Sequence, residues 1–247
     1  VSNVPAATRT GETIAWTGKL AKGQSVTITY TVKLNADAEG VLVNNHASSS
    51  ATPPGDVPPI TPPDVETWHP TPGYTFNKVA DPASGSTVQE GDTITYTLTG
   101  TNFGKTELDT VITDDLSKVL DKADLDKAPV ASIVTDGSSS PASTQPVLEG
   151  TKLSWNGKLE IGQQVVIVYS VKVKAGGEGK IVNNVASSTA TPPVGPPVTP
   201  PEVTTEHPIP GYTLAKSSDP VSGSKVLPNS KITYTVTGTN IGATELD

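Results

Sequence analysis

The sequence contains neither cysteine nor methionine. Without cysteine there are no disulfides, no thiolate metal sites and no thiol nucleophile, so such a chain, if secreted, must resist unfolding by another device. Apolar residues make up 34% of the chain and aromatics 4%, a lean supply for a core. It is not lean enough for general disorder, because the apolar residues fall in patterned runs. The three histidines, His46, His69 and His207, stand in one strand-like and two proline-rich contexts, none beside a nucleophile, and there is no glycine-rich phosphate loop. Positive charge is sparse as well. The 17 Lys and Arg against 25 Asp and Glu leave a net charge of −8 with no long basic cluster, which makes nucleic acid and anionic membranes poor partners. No apolar stretch approaches the roughly 18 residues that span a bilayer, so no membrane insertion is expected in this segment. Neither a signal peptide nor an anchor is read at the ends.

Repetition is what the chain has in quantity. Tyr74–Asp109 (YTFNKVADPASGSTVQEGDTITYTLTGTNFGKTELD) and Tyr212–Asp247 (YTLAKSSDPVSGSKVLPNSKITYTVTGTNIGATELD) share 22 of 36 positions at an offset of 212 − 74 = 138. Trp16 with Trp155, Tyr30 with Tyr169, and VNNHASSSATPP (43–54) with VNNVASSTATPP (182–193) pair at an offset of 139. The frame that follows has one complete repeat over 74–188, the C-terminal part of a preceding repeat over 1–50 and the N-terminal part of a following one over 212–247. Both ends thus fall inside a repeat, and a longer parent chain is expected. The segments 51–73 and 189–211 are dense in proline. They read as semi-rigid polyproline II spacers, with recognition by a proline-binding module as the alternative.

Within the repeat, apolar residues alternate with period two. Ile94, Tyr96 and Leu98 are separated by threonines, and Val26–Leu34 and Val165–Val173 behave alike. This is strand patterning, and seven to nine such strands with turn signals between them imply an all-β antiparallel sandwich. Leu116, Val119, Leu120 and Ala123 recur at helical spacing and suggest a short surface helix over Asp114–Asp126. Trp16 and Trp155 read as core aromatics, with carbohydrate stacking as the alternative; Trp68 has Glu206 as its counterpart and is not required by every copy. The acidic segment 113–126 has carboxylates for calcium but lacks the spaced ligand loop with its central glycine, so a solvated face is preferred and no metal or cofactor is expected.

Four features together resemble the isopeptide-forming fimbrial and adhesin domain family of Gram-positive surface proteins, which has a collagen-adhesin-like, immunoglobulin-like fold. They are Lys78 before an Asp-Pro turn (FNKVADP), the hairpin GDTITYTLTGTNFG (91–104), a strand ending in Thr-Asp (VITDDL, 111–116) and a last strand with Asn before Ala (VNNVA, 182–186). The resemblance covers essentially the whole repeat. It implies tandem immunoglobulin-like sandwiches in which a Lys of the first strand and an Asn of the last can form an intramolecular amide, promoted by a buried acid. Burial keeps the amine neutral and nucleophilic and the acid protonated, and the folded core supplies the proximity.

Alternation selects the residues. Lys78 shares a face with Tyr74 and Phe76. Of Asn183 and Asn184, the latter falls inward with Val182 and Ala186, because the other face tolerates His46 in place of Val185. Asp114 shares a face with Ile112 and is the favoured acid; Asp92 and Asp109 are alternatives, the first weakened by Ser230 as its counterpart. Asn45 and Lys216 are the equivalent positions in copies of which the chain holds only part. The expected role is a stalk or fibre module at the surface or in the cell wall of a Gram-positive-type bacterium, neighbouring repeats being its partners. A ligand-binding adhesin repeat, taking a glycan or a host protein, is the alternative. No pattern supports an enzyme, and Val166 and Val168 against Thr27 and Thr29 in the other copy favour scaffolding over a common binding face.

Overall fold

The computed structural model describes residues 5–247, so the first four residues of the leading partial repeat lie outside the described residues. The chain divides into two units, Val1–Ala38 and Glu39–Asp247. In the first, β1 (Thr8–Thr10) and β2 (Thr13–Ala15) pair across a turn at Gly11, whose φ of 61° suits glycine. Trp16 is half-buried and donates its Nε1–H to the Pro5 carbonyl at 2.9 Å.

The second unit opens with β3 (Leu42–Ala47) paired antiparallel to β4 (Val65–Pro70). The complete repeat follows as β5 (Tyr74–Asp81), β6 (Thr93–Asn102), β7 (Leu108–Asp115), α1 (Ser117–Leu120), β8 (Ala123–Thr135), β9 (Ser138–Pro141), β10 (Val147–Glu149), β11 (Lys152–Leu159), β12 (Gln164–Val173), β13 (Ile181–Thr191) and β14 (Val203–Pro208). β15 (Tyr212–Asp219) and β16 (Thr233–Asn240) then pair in the same relative register as β5 and β6.

The repeat is an all-β, immunoglobulin-like sandwich. One sheet has the order β5-β6-β12-β8-β9 and the other β10-β11-β7-β13-β14, every pair antiparallel, with the chain crossing between sheets after β6, β7, β9, β11 and β12. The period-two pattern does what pleat geometry requires. Ile94, Tyr96 and Leu98 of β6 and Val165, Ile167, Tyr169 and Val171 of β12 face Leu108 and Ile112 of β7, Leu153 and Trp155 of β11 and Val182 and Ala186 of β13, all buried. Each fully buried Leu, Ile or Val stabilises the fold by about 1.5–3 kcal/mol. The loop after β6 is organised by Asn102, whose Nδ2 donates to the carbonyls of Thr106, Leu159 and Glu160 while its Oδ1 accepts from Gly104 N–H. Trp155 is in the core and its Nε1–H reaches the Thr144 carbonyl at 3.0 Å, whereas Trp68 is exposed.

Four expectations need correction. The helix is a single turn, Ser117–Leu120, between strands: Leu116, Val119 and Ala123 are buried in the sandwich core, and that packing produced the helical spacing. The segment 189–211 is not all spacer. β13 runs on to Thr191 and Val203–Pro208 returns as β14 along β13, so the sandwich extends past residue 188. Thr205 and His207 point into the core, and the other side of β14 is clamped by Gly85 N–H to Glu206 O at 2.7 Å and Val88 N–H to Pro208 O at 3.0 Å. Proline is confined to the ends of this edge strand, where it costs no ladder hydrogen bond. The sandwich accordingly has ten strands rather than seven to nine. Finally, Val26–Leu34 is not a strand. Its counterpart β12 is held by β6 and β8, and the strands that would hold Val26–Leu34 within its own copy are not among residues 1–247. Among the described residues no helix is long and apolar enough to cross a membrane.

Candidate functional site

Three strands from the two sheets bring the expected residues together. On β5 the burial alternates so that Tyr74, Phe76 and Lys78 turn inward. Lys78 pairs across the sheet with Leu98, two residues beyond Tyr96 on β6, and its Nζ lies over the Tyr96 ring, 5.3 Å from the centroid. On the opposite sheet β7 and β13 are neighbours, with Asp114 opposite Ala186, and Asn184 is the next inward position along β13. The side chains of Lys78 and Asp114 are both 0% exposed, and Asn184 is fully buried.

These groups form one continuous polar chain inside the core. Lys78 Nζ donates to Asp114 Oδ1 at 2.7 Å. The Tyr169 hydroxyl, delivered from β12, donates to Asp114 Oδ2 at 2.6 Å, and Asn184 Nδ2 donates to the same hydroxyl oxygen at 2.7 Å. Burial pushes the Lys78 ammonium down to about 8, against the opposing pull of Asp114. Burial also raises the Asp114 carboxyl above the ordinary aspartate range, against Lys78 and Tyr169. Both shifts favour the neutral amine and the neutral acid. Burial holds the Tyr169 phenol well above its usual value, reinforced by Asp114, so it stays protonated. Two atoms of the cluster, Asn184 Oδ1 and Tyr96 OH, are buried without a hydrogen-bond partner. The Tyr96 and Tyr169 rings pack at 5.2 Å, and His207 of β14 meets Tyr96 edge-on at 6.2 Å.

The energetics of this cluster do not favour the fold. A desolvated ion pair is roughly neutral or unfavourable against apolar side chains of equal volume, and an unsatisfied buried carbonyl costs about 1–3 kcal/mol. Perturbed, buried and mutually bonded titratable groups of this kind are enriched at functional sites.

The alternatives sit elsewhere. Asn183 is on the outer face, donating to Glu206 Oε1 at 2.7 Å. Asp92 caps its own turn by accepting from Gln89 N–H, and Asp109 is exposed. In the flanking copies, Lys216 lies over the Tyr234 ring at 4.9 Å as Lys78 lies over Tyr96, and Asn45 stands opposite Thr67 as Asn184 stands opposite Thr205. The acidic segment does not converge. Asp115 accepts from Ser117 N–H, Asp121 pairs with Lys122, Asp124 with Lys174, and Asp126 accepts from Ser170. Alternation along Val165–Val173 puts Tyr169 on the inner face but says nothing of its role. Its signal was a hydroxyl among aliphatics at a core position that Tyr30 repeats in the other copy.

Fold and site define an immunoglobulin-like sandwich with a Lys–Asp–Tyr–Asn chain sealed in its core. By sequence the chain belongs to the family described as Domain of unknown function (DUF7927), whose model matches residues 1–71 and 73–209. Both segments run through a proline-rich tract into the strand that ends it. No curated protein sequence matches significantly. Among solved structures the chain is similar to the major pilin subunit BcpA of Bacillus cereus at 15% identity, covering 80% of this chain and 71% of that one with a TM-score of 0.42. It is also similar to the collagen-binding subdomain of the Enterococcus faecalis surface protein ACE, at 11% identity over 53% of this chain and 94% of that one, with a TM-score of 0.38. The collagen-binding domain of a Staphylococcus aureus adhesin gives 9%, 53%, 95% and 0.36 for the same quantities.

Proposed function

We propose that the chain is a load-bearing module of a bacterial surface stalk or fibre, and that its complete repeat closes an autocatalytic amide between Lys78 Nζ and Asn184 Cγ with Asp114 as the promoting acid. The observation that carries this reading is the unbroken hydrogen-bonded path from Lys78 through Asp114 and Tyr169 to the Asn184 amide.

The chemistry balances on the residues present. The Lys78 ammonium gives one proton to Asp114, leaving a neutral pair in which the amine has a free lone pair. Nζ attacks Asn184 Cγ and passes a second proton to Asp114 Oδ1. The first proton, which settles on Oδ2 as the Tyr169 hydroxyl turns from Oδ2 toward Nδ2, moves to the Tyr169 oxygen while the Tyr169 proton moves to Nδ2. The Cγ–Nδ2 bond breaks and ammonia leaves. Asp114 ends protonated, Tyr169 is unchanged, and Nζ carries one hydrogen as an amide. The core holds the reactants at high effective concentration, so a single turnover needs no cofactor. The product removes both a buried ammonium and the primary amide, and it ties the first strand of one sheet to the other sheet in a protein that lacks cysteine.

Intact-mass measurement of the purified chain, with a peptide map of residues 74–191, tests the reading. The expected result is a deficit of one ammonia and a branched peptide joining Lys78 to Asn184, both absent in Asp114→Ala. A full-mass parent chain overturns it.

A further inference from the structure

The boundaries between repeats carry a built joint, and it occurs twice. β4 ends at Pro70 and β5 begins at Tyr74; β14 ends at Pro208 and β15 begins at Tyr212. Only residues 71–73 and 209–211 therefore connect the last strand of one copy to the first of the next. The proline-rich tracts lie upstream of these connectors, within the preceding copy, and do not act as the links.

Neither connector is free to swivel. At the first boundary Thr71 N–H donates to Val41 O and Gly40 N–H to Pro72 O, both at 3.0 Å, which pins the connector to the preceding copy. Phe103 N–H and Gly104 N–H, from the loop after β6, both donate to Gly73 O at 3.1 Å, which pins it to the following copy. At the second boundary Gly179 N–H donates to Ile209 O at 3.1 Å and Ile241 N–H to Gly211 O at 2.8 Å. The offsets are those of the repeat: 179 − 40 = 139, 211 − 73 = 138 and 241 − 103 = 138.

The surfaces fit without room to spare. A methyl group on Gly73 or Gly40 would lie 2.6 Å from the Phe103 ring, and one on Gly104 would lie 2.5 Å from the Gly73 nitrogen. At the second joint a methyl on Gly211 would come within 2.6 Å of the Gly179 nitrogen. Backbone approaches of this closeness are a position where glycine is required. Phe103, and Ile241 after it, supplies an apolar side chain over the glycines although each remains over 40% exposed, at 41% and 47%.

We infer that the Asn102–Gly104 loop of each repeat is a docking surface whose partner is the trailing end of the preceding repeat, so that consecutive repeats lock end to end as a stiff rod. This does not depend on the Lys78–Asn184 bond. Linkers of three flexible residues would instead give a spread of about 10 Å at the connector alone.

Because the chain has no cysteine, two introduced ones can be labelled uniquely. Spin labels at Glu66→Cys and Lys127→Cys, both exposed and on opposite sides of the first joint, report the inter-repeat distance distribution by pulsed dipolar spectroscopy. A single distribution a few ångströms wide is expected. Phe103→Ala and Gly104→Ala are each expected to broaden it at least two-fold while the urea midpoint of the sandwich stays unchanged. If Gly104→Ala weakens the sandwich itself, Phe103→Ala decides alone, since that side chain lies outside the core. A parent distribution as broad as a flexible connector gives, or one that Phe103→Ala leaves as narrow as before, overturns the inference.

Discussion

Replacing Lys78 with methionine separates the covalent tie from the other properties of the site. Methionine has similar length and no charge, so packing against the Tyr96 ring is kept. Asp114, now alone in an apolar surround, stays protonated beside Tyr169. What is lost is a link that closes a loop of 184 − 78 = 106 residues. A cross-link over about 100 residues removes unfolded-chain entropy worth about 4.7 kcal/mol at 25 °C. For a domain of this size, 1 kcal/mol moves Tm by roughly 4 °C, so Lys78→Met is expected to melt about 15–20 °C below the parent. Differential scanning calorimetry of both proteins, with intact masses taken on the same samples, measures it. The parent should be lighter by one ammonia and the variant should carry its full mass. Melting points within about 3 °C of each other, a difference of under roughly 1 kcal/mol, would refute the entropic argument even if the bond were present.

Three further outcomes follow from the same geometry. Tyr169→Phe keeps the ring and removes the hydroxyl that bridges Asp114 and the Asn184 nitrogen, so ammonia loss after pulse-labelled cell-free synthesis should slow by about 10²-fold; an unchanged rate would mean that the proton takes another route. In Asn184→Ala the lysine has no amide to attack and the buried pair persists. Lys78 then has a folded pKa of about 8 below its ordinary 10.5, so the unfolded chain binds more protons between those values and stability should rise over that window. Asp114 acts oppositely: its raised folded pKa makes stability fall as pH climbs from 3.8 through that value. Urea midpoints at pH 7 and pH 10, compared with Lys78→Met, should show the alkaline gain only where the lysine is present. Ending the chain at Thr191 instead of Gly211 deletes β14, with the fully buried Ile209 side chain and the His207–Pro82 hydrogen bond, and should cost about 3 kcal/mol in the urea midpoint; no change would mean that β14 is dispensable packing.

The inward faces of β5, β6, β7, β12 and β13 were legible because alternation on a half-buried sheet is a direct imprint of the pleat. Comparing two copies resolved the ambiguity between Asn183 and Asn184, since one face tolerated His46 against Val185. β14 was obscured by composition. Its six residues, VTTEHP, alternate Thr205 and His207 inward, but prolines on both sides mask a strand whose burial depends wholly on tertiary neighbours. The helix expectation failed for a related reason. Leu116, Val119 and Ala123 do face one way, but they line a sandwich edge around a single turn, and spacing over so few residues does not separate the two cases. Tyr169 as a bridge was not readable, because a tyrosine on an apolar face looks the same whether its hydroxyl is an incidental polar end or a link between two reactive groups.

Joint and cross-link together define how the repeat should bear tension. Tension applied along the chain would enter the complete repeat at β5, through residues 71–73, and leave at β14, through residues 209–211. With Lys78 joined to Asn184, the 106 residues between them cannot extend, and of the 138-residue period only 138 − 106 = 32 residues can pay out. At about 3.5 Å per residue that is about 110 Å, against about 480 Å for the whole period. The first event should be loss of the β13–β14 ladder between Ile181↔Pro208 and Ala186↔Val203, after which the proline-rich tract straightens and the sandwich core stays folded. Pulling the chain in optical tweezers through cysteines introduced at Pro72 and Pro210, which span 210 − 72 = 138 residues, should give a short, repeatable extension in the parent and the long one in Lys78→Met. A long extension in a parent chain whose mass has lost ammonia would place the bond outside the load path and overturn the mechanical reading.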